Sequence, residues 1–135
     1  MKPTLVAYAG TALVLIALDL LWLGVIAKQF YRQGIGHLMG PSPLPRVALL
    51  FYLLFAAGVV VFAVVPHEGG AGWADTLLMG ALFGFFAYAT YDLTNLATLR
   101  DWPLGLSLID MGWGTLVSAV SAGAGKLAMD MVVWR

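Results

Sequence analysis

Cysteine is missing from all 135 residues, and charge is scarce: only 10% of the chain is Asp, Glu, Lys or Arg. Without cysteine there is no disulfide, no thiolate nucleophile and no Cys-ligated zinc or iron–sulfur site. Soluble domains carry about 25% charged residues, so this composition argues against one. The formal net charge is zero, which leaves no basic footprint for nucleic acid. The two histidines, His37 and His67, fall in the segments that read as loops. No H-x-x-x-H pattern exists, and a di-iron bundle site normally takes His ligands from its helices. No nucleophile–base motif is present either.

What is there is apolar. Hydrophobic residues make up 61% of the chain, and the mean hydropathy is +0.91. The length accommodates four spans of about 20 residues with short loops, and no soluble domain besides. The expected fold class is all-α: a four-helix antiparallel transmembrane bundle forming a single domain over residues 1–135. The spans are expected near residues 3–27, 45–65, 73–99 and 103–127. The first apolar stretch is too long for a signal-peptide core and lacks a small-x-small cleavage site, so it reads as a span.

Span one ends in the cationic and aromatic cluster Lys28-Gln29-Phe30-Tyr31-Arg32, typical of a membrane interface. Gly34, Gly36, Gly40, Pro41 and Pro43 then mark a loop over residues 33–45. Span two has no charge over residues 47–65. Tyr52 is its one strong polar group, and its expected role is structural packing. A short Gly-rich turn follows, with no Lys or Arg. In span three, Gly80 and Gly84 form a G-x-x-x-G pattern that permits close backbone approach, either within the bundle or in a homodimer. In span four, Ser107, Asp110, Gly114, Ser118, Ser121 and Gly125 recur at steps of three or four as one small, polar stripe. Lys126, Trp134 and Arg135 are expected as interfacial anchors. The first and third connections hold Lys28, Arg32, Arg46 and Arg100, against Lys2, Lys126 and Arg135 on the other side. The positive-inside rule then places both termini outside the cytoplasm.

Three of these spans each carry an intramembrane Asp, and a carboxylate at a helix centre costs about 2.5–3.5 kcal/mol on insertion scales. With a rise of 1.5 Å per residue, Asp19 and Asp92 lie about 12 Å, and Asp110 about 10 Å, from the same membrane face. Neighbours at i+3 share a helix face. They place Trp22 beside Asp19, Asn95 beside Asp92 and Trp113 beside Asp110, and Tyr88 joins the Asp92 face from i−4. Trp, Tyr and Asn can all donate hydrogen bonds to a carboxylate. Asp92 has the densest polar neighbourhood and is the acid expected to matter most. Mutual repulsion and desolvation disfavour three charges together. Some acids are then protonated, a cation is bound, or a rim Arg folds inward.

The string Tyr91-Asp92-Leu93-Thr94-Asn95-Leu96-Ala97-Thr98-Leu99, with Trp102 after it and a D-x-x-W pattern near each end of the chain, resembles a bacterial integral membrane family, domain-of-unknown-function family 2177. The resemblance covers essentially the whole chain. It implies a four-span protein of the bacterial cytoplasmic membrane and brings no established activity.

Three functions fit these residues. The first is binding or transport, with Asp19, Trp22, Tyr88, Asp92, Asn95, Asp110 and Trp113 holding a cation, a cationic small molecule or protons. Aromatic faces beside carboxylates suit organic cations. The second is a membrane enzyme acting on a lipid or isoprenoid, its carboxylates serving as acid and base or as ligands to a hard metal. The third is a non-catalytic partner subunit of a membrane complex. Against all three, each Asp can be a hydrogen-bonded strut that fixes helix register.

Overall fold

The computed structural model describes residues 2–69 and 72–133. Gly70 and Ala71 of the Gly-rich turn, and the expected anchors Trp134 and Arg135, lie outside the described residues. All regular elements among them are helical: α1 (Lys2–Leu21), α2 (Lys28–Ile35), α3 (Pro45–Val59), α4 (Trp73–Thr98) and α5 (Leu104–Val133). Short π and 3₁₀ turns extend α1 and α3. Four helical stretches are long and apolar enough to cross a membrane: Lys2–Ile26, Pro45–His67, Trp73–Thr98 and Leu104–Val133. The chain is a bundle of these four helices. Large apolar side chains such as Leu13, Leu54, Phe86 and Leu116 face outward, as lipid-facing residues do.

The interior is built on rows of residues spaced at one or two helical turns, three or four residues to the turn, which stack along one side of a helix. In α1, Ala7, Thr11, Leu15 and Asp19 are buried. Thr76, Gly80, Gly84 and Asp92 form the same row in α4. On α5 the row is Asp110, Gly114, Ser118, Ser121 and Gly125. Each Asp thus lies at one end of a buried row made mostly of small residues, and burial of the row carries the carboxylate inward.

Small residues let α5 lie tightly between α1 and α4. A Cβ on Gly84 would come 2.2 Å from the Gly114 carbonyl and from Ser118 Oγ. One on Gly125 would come 2.0 Å from Thr11 Oγ1. Gly80 and Gly84 are therefore consumed within one chain, against α5. Of the two uses open to this G-x-x-x-G pattern, the structure shows packing within the bundle.

Three expectations change. The loop expected over residues 33–45 begins later, because the chain from Lys28 is helical to Ile35. Gly34 lies inside that helix because a Cβ there would come 2.6 Å from Leu106 Cδ1, so glycine seats α2 on the start of α5. The last helix continues to Val133, beyond the expected residue 127, since no Pro interrupts it. Lys126 is not an interfacial anchor. It is fully buried and its Nζ donates to the carbonyls of His67 at 2.8 Å and Gly69 at 2.6 Å. It also lies 3.4 Å from Asp130 Oδ2, and so ties α5 to the turn after α3.

Span two approaches α4 mainly through its π turn, Val60–Val64. Nearer Pro45, α3 packs chiefly on α1. Space is left between α3 and the α4–α5 pair at the end of the bundle that carries α2.

Candidate functional site

That space is a cavity of about 910 Å³. Small-molecule sites run from about 300 to 1,000 Å³, so this one is large. Its polar lining comes from Asp19 of α1, Tyr52 of α3, Tyr88 and Tyr91 of α4, and Asp110 of α5. Tyr31, Lys28 and Arg32 of α2 line it too, the two cations being exposed. Leu20, Leu23, Ala48, Phe51, Phe55 and Leu106 supply the apolar wall.

The acids divide into a single and a pair. Asp19, 5% exposed, accepts hydrogen bonds from two other helices. Tyr52 Oη donates to one carboxylate oxygen, and Trp113 Nε1 donates to the other at 2.9 Å. Asp110 Oδ1 accepts from Tyr31 Oη at 2.6 Å, and Tyr31 Oη accepts from Trp22 Nε1 at 3.0 Å. Burial and the bond to Asp110 push the Tyr31 hydroxyl above its ordinary pKa, so it stays an O–H donor. Trp22 stacks on Trp113 with ring centres 4.4 Å apart and planes 5° from parallel. The stack joins the two hydrogen-bonded groups into one connected assembly.

Asp92 is different. It is fully buried, and neither carboxylate oxygen meets a donor among the described residues. Its carboxyl neighbours that of Asp110. Among the described residues no three His, Cys, Asp or Glu side chains sit together as a metal-holding group. The acids therefore do not form a three-carboxylate cage.

The family model for a predicted membrane protein family, DUF2177, matches residues 4–127. The chain belongs to this family. No curated protein and no solved structure matches it. The DUF2177 match describes a membrane protein and assigns it no chemistry.

In this DUF2177 chain the residues named from sequence are distributed as follows. Asp19, Tyr88 and Asp110 line the cavity, while Asp92, Trp22 and Trp113 are not among its lining residues. Asn95 is half-buried, makes no side-chain hydrogen bond among those described, and does not line the cavity. The expected pairing of each Trp with the Asp on its own helix face is corrected. Trp113 of α5 donates to Asp19 of α1, and Trp22 donates to Tyr31 of α2, because the acceptor each indole reaches lies on a neighbouring element and not on its own helix face. The dense polar neighbourhood expected around Asp92 is corrected too. Thr94 turns its hydroxyl to the Thr90 and Tyr91 carbonyls of its own helix, and Tyr91 is exposed.

Two residues of the site were not singled out by sequence. Tyr52 was assigned to packing, although a lone polar residue in a charge-free span is a legible signal. Tyr31 read as an interfacial aromatic, and nothing in its sequence surroundings marks it as a donor to an acid 79 positions away.

Proposed function

We propose that this protein binds a small molecule in the cavity and couples its binding to a proton held by the Asp92–Asp110 pair. The observation that carries this reading is the Asp92 carboxyl, fully buried, without a donor among the described residues and beside a second carboxyl. Two carboxylates facing each other with no cation between them repel one another and lack solvation. One proton between them removes a charge and creates the missing donor. Asp110 reaches the cavity wall, so a proton leaving the pair through it arrives where a ligand would sit. Tyr31 then stabilises the Asp110 carboxylate left behind, by the hydrogen bond it already donates.

Among the ligands considered from sequence, the proton is favoured over an organic cation. Lys28 and Arg32 line the cavity at its exposed side and repel an entering cation. Those same two residues favour a second reading, a membrane enzyme that uses the acid pair on a lipid or isoprenoid. The proposed location is the bacterial cytoplasmic membrane.

The test is pH-difference infrared spectroscopy of the purified protein. A protonated-carboxyl band is expected in the wild type and is expected to vanish in Asp92→Asn, which still inserts and purifies. Wild-type protein without such a band at any pH at which it stays folded would refute the reading.

A further inference from the structure

The cavity has two halves of opposite character. On α2, Lys28 and Arg32 are four residues apart, so their side chains share a helix face, and both line the cavity from exposed positions. Neither has a carboxylate partner among the described residues within salt-bridge range. The rest of the wall is mostly hydrocarbon. Leu20, Leu23 and Phe51 line it while keeping 58%, 41% and 44% of their surface exposed. They belong to α1, its π turn and α3, helices whose outer surface faces lipid. The apolar half is thus continuous with the bilayer, whereas the cationic half lies just past the end of a span, where headgroups are.

We infer that the occupant is an amphiphile from the membrane, with a phosphate-bearing anionic head on Lys28 and Arg32 and a single acyl or prenyl chain along Leu20, Phe51 and Phe55. Charge complementarity selects the head: Arg and Lys are the side chains that recognise phosphate. The volume selects the chain number, since about 910 Å³ is near the upper end of small-molecule sites and suits one chain with its head. Asp19 and Asp110, also in the lining, are each engaged by Tyr or Trp donors, so Lys28 and Arg32 are the charged groups open to an entering head. This inference rests on the cavity of the preceding proposal but not on its proton.

The experiment compares three probes on the full chain in maltoside micelles: hexadecyl phosphate, hexadecylphosphocholine and inorganic phosphate. Binding is followed by thermal shift and by the adducts retained in native mass spectrometry. Hexadecyl phosphate is expected to bind and stabilise, with the other two at least ten-fold weaker. The double variant Lys28→Gln/Arg32→Gln, whose substitutions are exposed and leave the fold intact, is expected to lose at least ten-fold in hexadecyl phosphate affinity. Equal binding of the phosphocholine would overturn the anionic head. Equal binding of inorganic phosphate would overturn the amphiphile, and so would an unchanged double variant with native melting. Asp92→Asn separates the two proposals. If it loses the infrared band and the pH dependence of hexadecyl phosphate binding yet still binds the probe, both stand; if it binds at every pH as the wild type does, the coupling falls and this inference stands. If hexadecyl phosphate fails to bind wild type that shows the band, only this inference falls.

Discussion

Asp19 shows how a buried carboxylate is held without a salt bridge among the described residues. Each of its oxygens takes a neutral donor from a different helix, Tyr52 of α3 and Trp113 of α5. Hydrogen bonds to charged groups contribute about 1.5–3 kcal/mol each. Tyr52→Phe keeps the ring and removes the donor, so it should destabilise the protein by about that amount. In an Asp19→Asn background the same change should cost less, because the charged acceptor is gone. Reversible unfolding in mixed micelles, read as a double-mutant cycle, gives the coupling, and strict additivity would show that the bond contributes nothing. That Asp19 is buried was legible in the four-residue row from Ala7. Its donors were not, because they reach it from other helices.

At the scale of the element, glycine separates packed faces from lipid faces. A Cβ on Gly84 meets the Gly114 carbonyl, which is backbone and cannot step aside, whereas one on Gly112 meets nothing within 4 Å. Overpacking costs about 1–3 kcal/mol, while Gly to Ala inside a free helix gains up to about 1 kcal/mol. Gly84→Ala should therefore lower the thermal midpoint, and Gly112→Ala should leave it unchanged or raise it. Equal effects would mean that α4 and α5 do not pack as described. A second prediction concerns the far end of α5. Lys126→Met leaves Asp130 and the His67 and Gly69 carbonyls without their cation, and breaking a buried ion pair from one side costs about 3–5 kcal/mol. Asp130→Asn, at a partly exposed position, should cost much less. Thermal unfolding of both variants checks the order.

For the whole molecule, the fold places its candidate site close to one membrane face, and which face that is sets what can reach it. The first and third connections carry Lys28, Arg32, Arg46 and Arg100. On the opposite side Lys126 is buried against protein carbonyls. The positive-inside rule puts the cavity mouth toward the cytoplasm, where anionic lipid is richest. Alkaline phosphatase fused after Arg135 should then be active, and green fluorescent protein fused there should be dark. The reverse pattern would place the mouth on the outer side.

Hydropathy and spacing along one helix are local properties, and they determined the local answers. Four spans, three inward-facing acids and the small-residue row on α5 followed from the chain alone, since depth depends on residue count and face on the helical period. Partnership is not local. Whether Trp22 or Trp113 serves Asp19 depends on how one helix is rotated against another, and the hydrophobic pattern of a single helix carries no mark of that rotation. The pairing of Asp92 with Asp110, the recruitment of Tyr31 and Tyr52, and the cavity left where α3 departs from α4 depend on the same interhelical geometry. The tertiary structure alone decided them, because packing between helices sets which side chains of equal depth come within hydrogen-bonding distance.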